Sequence, residues 1–148
     1  MDKKVIANSK NFGFPIDRAI KMIRSKYNNA FKELGVDITT EQWVVIEQLY
    51  HHNGQSQSDL ADGSYKNAPT VSRIIDLLEK KGFVERQRFE NDRRRYKIFL
   101  TKKGSVVVES CYPKILELRA SGWAHLSETD YDVFMRIINQ ITENHLGG

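Results

Sequence analysis

A single cysteine, Cys111, in a chain of 148 residues rules out an intrachain disulfide. The fold must then be held by its core, and a cytoplasmic location is the expectation. No apolar run approaches the ~18 residues that a membrane-spanning helix needs. The opening MDKKVIANSKNFGF is charged but has no apolar stretch of secretory type, so no membrane partner is expected. P-loop, nucleophile-elbow and Gly-rich dinucleotide signatures are all missing, as are HExxH and paired CxxC motifs. The histidines do not fill that gap. His51 and His52 are adjacent and cannot share a helix face, while His125 and His145 have no acidic or cysteine partner at ligand spacing. The expectation is therefore a protein without catalytic residues, metal or cofactor.

What the chain does have is a local excess of positive charge. The formal net charge is +4, yet from Glu79 to Lys103 ten Lys/Arg face four Asp/Glu, a net of +6, and the remainder is slightly acidic. Concentrated charge of this kind is the footprint of polyanion binding; the alternative is a solvated basic face. The length suits one domain, here 1–148, and is enough to bury a core unaided.

Helical periodicity dominates. Apolar residues at Ile16, Ile20, Ile23, Tyr27, Ala30 and Leu34 form a heptad-type seam, with Pro15 in the first turn and Gly35 at the end. Met22 and Phe31 lie off that seam, so the helix has a second apolar side. Thr39 and Gln42 have capping-box spacing ahead of a helix whose inward face is Trp43, Ile46, Leu49 and Tyr50, stopped by Asn53-Gly54. A short helix from Ser56 holds Leu60 and Ala61 and is expected to break at Gly63-Ser64. Asn67 caps a fourth helix, with Pro69 in its first turn, Val71, Ile74, Ile75 and Leu78 inward, and Gly82 at its end. Two strands follow, Phe83–Phe89 and Tyr96–Leu100, joined by a polar tip that carries Asp92, Arg93, Arg94 and Arg95. Thr101 caps a long helix that Pro113 should kink, and Ser127 caps the last one, with Leu126 placed to staple onto Tyr131. The order gives a mainly α fold: a winged helix-turn-helix with a two-stranded wing at 37–101, flanked by helical regions at 12–36 and 102–148. With no intrachain partner of matching length, these flanking helices are expected to pair across the two-fold of a homodimer.

The helix-turn-helix order suggests duplex DNA as partner. A major groove admits one helix and is read by hydrogen bonds and methyl contacts. The start of the fourth helix offers Asn67 for adenine, Arg73 for guanine, and Ala68, Pro69, Thr70 and Ser72 for smaller contacts. Gln57 and Ser58, at the start of the third helix, suit the phosphate backbone.

Over most of its length the sequence resembles the MarR family of bacterial transcriptional regulators. ITTEQWVVIEQL resembles the family's second helix, QSQSDLA the first helix of its helix-turn-helix, and PTVSRIIDLLEKKGFVER its recognition helix and wing start. DRRRYKIFLTKKG resembles the wing signature, with Asp92, Arg94, Leu100, Thr101 and Gly104 at the expected spacing. One departure stands in the turn before the recognition helix, where the family usually has an apolar residue and a glycine. Here Ser64 and Tyr65 occupy it, and Tyr65 is expected to supply the apolar contact.

The resemblance implies a dimeric repressor on a pseudo-palindromic operator, with Arg94 inserted into the minor groove and Asp92 bracing its guanidinium. Arg93 and Arg95 then neutralise phosphates. It also implies release by a small phenolic or aromatic effector, for which Tyr27, Phe31, Trp43, Tyr50, His51 and Tyr112 are candidate lining residues. Two alternatives stand beside this reading: a winged-helix protein-interaction module without DNA specificity, and an oxidant sensor working through Cys111.

Overall fold

The structure is a computed structural model and describes residues 1–7 and 9–147. Of the expected flanking regions, only Gly148 falls outside the described residues. The elements run α1 (Lys3–Ala7), α2 (Gly13–Glu33), α3 (Thr40–His51), β1 (Gln55–Ser56), α4 (Gln57–Ser64), α5 (Ala68–Lys80), β2 (Val84–Phe89), β3 (Asp92–Leu100), α6 (Lys102–Gly122) and α7 (Glu128–Leu146). They fall into two compact units, residues 1–116 and 117–148. Among the described residues no helix is long and apolar enough to cross a membrane.

In the first unit, capping decides where the helices start. Thr39 and Gln42 form the reciprocal capping box of α3. Ser56 Oγ accepts from Asp59 N–H at 3.0 Å to start α4, and Asn67 Oδ1 accepts from Thr70 N–H at 2.9 Å to start α5. Gly35, Gly54 and Gly82 take the left-handed conformation where α2, α3 and α5 end. Behind these starts lies one core, with Trp43, Ile46 and Leu49 of α3, Leu60 of α4, Val71, Ile74, Ile75 and Leu78 of α5, Ile98 of β3, and Val108 and Ile115 of α6. Each such aliphatic side chain contributes about 1.5–3 kcal/mol on burial.

Several expectations need correction. Tyr50 is 40% exposed rather than inward, and Val45 is buried in its place. Gly63-Ser64 does not break α4, which continues through both. Gly63 instead allows close approach to α3, since a Cβ there would displace the Gln48 amide. Ser64 is buried, with its hydroxyl donating to Leu60 O at 2.6 Å. Tyr65 supplies no apolar contact to the turn, because it is 95% exposed. The α2 seam also divides: Tyr27 and Ala30 face this core with Phe31 beside them, while Ile16, Ile23 and Leu34 stay exposed along with Phe14 and Met22.

The sheet has three antiparallel strands in the order β1-β3-β2. The unexpected strand β1 pairs Gln55 with Ile98 and Ser56 with Lys97. The Leu-Thr-x-x-Gly segment joins the sheet to α6 by close contact. Leu100 pairs with Val84. Thr101 Oγ1 donates to Gly82 O at 2.5 Å and accepts from Gly104 N–H at 3.1 Å. A Cβ on Gly104 would run into the Phe83 carbonyl, so glycine is required there. Helix α6 runs on through Pro113.

In the second unit Ser127 and Asp130 form the capping box of α7. The ring packed on Tyr131 is Trp123, at 5.7 Å between centroids, and it also meets Phe134 at 6.0 Å. Its indole N–H donates to Ser127 O at 3.2 Å.

Candidate nucleic-acid interface

Helices α4 and α5 with the β2–β3 hairpin place most of the expected contact residues on one lobe. At the N-terminal end of α5, Asn67, Ala68, Pro69 and Arg73 are exposed and Thr70 is half-buried. The free N–H groups of the first turn and the positive end of the helix dipole favour an anion there. Asn67 Oδ1 is already engaged by the cap, so its Nδ2 is the donor left for a base edge. Arg73 is exposed and has no ion-pair partner among the described residues. Ser58 is exposed at the start of α4.

Gln57 and Ser72 have other partners. Both are half-buried and are held by Arg86, whose side chain is only 15% exposed. Arg86 Nε donates to Gln57 Oε1 at 2.9 Å. Its Nη1 donates to Asp76 Oδ1 at 2.5 Å and Glu79 Oε1 at 3.3 Å, and its Nη2 to Ser72 O at 3.1 Å. One guanidinium thus fastens the start of α4, two successive turns of α5 and the base of the wing. No motif in the sequence marks Arg86. The signal was present in strand periodicity: Arg86 lies two residues after buried Val84, on the same side of β2.

The wing departs from a polar tip in an informative way. Its turn is Glu90-Asn91, and Asp92–Arg95 belong to β3. Arg88 pairs with Tyr96 and the next residue, Phe89, pairs with Asp92. Arg93, Arg94 and Arg95 are therefore the unmatched residues of a bulge, and a bulge re-aims side chains away from the sheet. Asp92 does not brace the Arg94 guanidinium; its Oδ1 accepts from the Arg94 backbone N–H at 2.9 Å. The three arginines also differ from one another. Arg95 lies over the Phe89 ring at 4.4 Å, a ring that Lys97 also approaches at 5.0 Å. Arg93 and Arg94 are exposed, and among the described residues neither guanidinium has an ion-pair partner.

The six candidate effector-site residues form one continuous aromatic group. Tyr27 meets Phe31 at 6.4 Å, Phe31 meets Trp43 at 5.6 Å, and Trp43 meets Tyr112 at 5.5 Å. Tyr112 in turn meets Tyr50 at 5.5 Å and His51 at 6.0 Å. The Tyr112 hydroxyl donates to Glu47 Oε2 at 2.8 Å and lies within hydrogen-bond distance, 2.7 Å, of His51 Nε2. Phe31 and Trp43 are buried core, and among the described residues no hydrogen bond is formed by the Trp43 indole N–H. Cys111 is buried too, and desolvation pushes its thiol up, offset in part by a hydrogen bond to Ser110. Burial and a scarce thiolate both oppose oxidant sensing. Among the described residues no group of three or more His, Cys, Asp or Glu is placed to hold a metal ion.

Comparison with known proteins agrees with this geometry. Residues 38–96 match the model of the MarR family. The MepR protein of S. aureus, solved as a DNA complex, is 25% identical with a TM-score of 0.82, over 92% of this chain and 99% of that one. A probable transcriptional regulator from Pseudomonas aeruginosa is 20% identical with a TM-score of 0.77, over 89% and 97%. BpsR of Bordetella bronchiseptica, whose DNA binding is regulated by 6-hydroxynicotinic acid, is 20% identical with a TM-score of 0.74, over 90% and 99%.

Proposed function

We propose that this MarR-family transcriptional regulator is a repressor that binds a pseudo-palindromic duplex as a homodimer. The recognition helix α5 enters the major groove with Asn67, Ala68, Pro69, Thr70 and Arg73. Arg94 enters the minor groove, whose negative potential attracts arginine where the groove is narrow. Arg93 and Ser58 meet phosphates, and Arg95 adds charge from its seat on Phe89. The observation that carries this reading is the wing bulge, which holds Arg93 and Arg94 exposed and unpaired on the lobe that also presents the start of α5. The lobe at 37–101 would do the reading, and the regions 12–36 and 102–148 would form the dimer. The exposed Phe14, Ile16, Met22 and Ile23 of α2 support that assignment.

A small phenolic or aromatic acid is the effector the aromatic group favours. Tyr50 and His51 are exposed and Tyr112 is half-buried at one end of that group, so rings and polar atoms are available there to an aromatic partner. Selection of bound duplexes from a random pool tests both statements. The expected product is an inverted repeat whose half-sites lie about one helical turn apart, and it should be released by hydroxylated aromatic acids. Recovery of sequences with no repeat would exclude the dimeric reading, and retention with every acid in the panel would exclude the effector.

A further inference from the structure

Tyr65 is the residue the fold explains least. It occupies the turn between α4 and α5 with φ 56° and ψ 35°, the left-handed conformation. Lys66 N–H bonds to Ala61 O at 3.0 Å across it, so Tyr65 holds the position that glycine usually fills in a helix-ending motif of this kind. A bulky residue there is a genuine outlier. Among the described residues His125 is the other non-glycine with positive φ, and histidine tolerates that region better than tyrosine. Strain of this kind persists in a structure when something compensates for it. The chain itself provides little compensation, since at 95% exposure the Tyr65 ring buries almost nothing. The strained residue stands two positions before Asn67, the cap of the recognition helix.

Resting on the DNA-binding reading above, we infer that Tyr65 is a further DNA-contacting residue whose phenol hydroxyl donates to a backbone phosphate beside the recognition helix. A tyrosine suits that role because its ring is rigid and amphipathic, and its hydroxyl is among the groups that meet phosphate oxygens. The contact positions the helix without reading a base. Its loss therefore weakens cognate and scrambled duplexes alike.

The test uses the full chain, a duplex recovered by selection, and a scrambled duplex of equal length. Tyr65→Gly removes both the strain and the ring. It is expected to raise Tm by about 2–4 °C and to weaken both duplexes about 5-fold. Tyr65→Asn, which tolerates the left-handed conformation, should weaken both to a similar degree. Tyr65→Phe keeps the ring and should weaken both about 3-fold with Tm unchanged. The inference is overturned if Tyr65→Gly raises Tm and binds as wild type, or if it lowers Tm, which would assign the ring to the fold. Wild type and Arg94→Ala separate this failure from that of the broader reading. If wild type selects no duplex, DNA binding itself is wrong. If wild type binds, Arg94→Ala loses binding and Tyr65→Gly does not, only the Tyr65 contact is wrong.

Discussion

At its base the wing hairpin holds Arg86 against Gln57, Ser72, Asp76 and Glu79, and at its far end it leaves Arg93 and Arg94 with no anionic partner among the described residues. The two sites are only a few residues apart and carry the same side chain. What separates them is burial and register. Arg86 lies on a regularly paired stretch of β2 whose inner side faces α4 and α5, so its donors are used within the fold. Arg93 and Arg94 lie in the bulge, where β2 offers no opposite residue and the side chains leave the sheet. Local positive charge therefore marks two roles. A desolvated, fully bonded arginine fixes the geometry of the reading lobe, and an exposed, unpaired one is available to a polyanion.

The sharpest way to break this contrast is to delete one arginine of each kind. Arg94→Ala should weaken duplex binding by about 10- to 100-fold, the range for losing one groove contact, while the melting temperature stays at the wild-type value. Gel retardation together with thermal denaturation checks both halves. A variant that binds normally would leave the wing without its main contact. Arg86→Ala should do the reverse in stability. Its acids are about half exposed, so the 3–5 kcal/mol typical of a broken buried pair is discounted to about 1–3 kcal/mol. That corresponds to a Tm fall of roughly 3–10 °C. Should Arg86→Ala melt like wild type yet lose the duplex, Arg86 would be a DNA contact and the two classes would merge.

The contrast also marks what a linear reading of the chain can reach. The helix starts were legible because a cap is local: Thr39 with Gln42, Ser56, Asn67 and Ser127 each act within three residues. The core faces of α5 followed from period alone. Strand β1 was not legible, since its two residues are held by pairing with Ile98 and Lys97, some forty positions away. The same holds for Arg86, whose partners lie 7 to 29 positions off, in α4 and α5. The bulge was hidden because three consecutive arginines look like a solvated loop until the register of β2 against β3 is known. The outward turn of Tyr65 was hidden for a related reason. An aromatic in a turn suggests packing, and only the backbone dihedral and the exposure show that the ring turns outward.

Asp92 offers the smallest and most discriminating test, because two accounts of it differ only in which atom it holds. If it braced the Arg94 guanidinium, its charge would be essential. The geometry instead gives its carboxylate oxygen to the Arg94 backbone N–H at 2.9 Å, which fixes where the bulge turns. An amide oxygen can accept the same bond. Asp92→Ala should thus cost about 3- to 5-fold in duplex affinity, a fraction of the roughly tenfold that 1.4 kcal/mol represents, as the bulge loses its local anchor. Asp92→Asn should stay within about 2-fold of wild type, since a carboxylate near phosphates is itself repelled and its charge is not what the site uses. Equal losses in both variants would restore the guanidinium account and make Asp92 an electrostatic partner of Arg94. A loss confined to Asp92→Ala would establish that the wing aims its arginine through the backbone, the same division of labour that leaves Arg86 bound and Arg94 free.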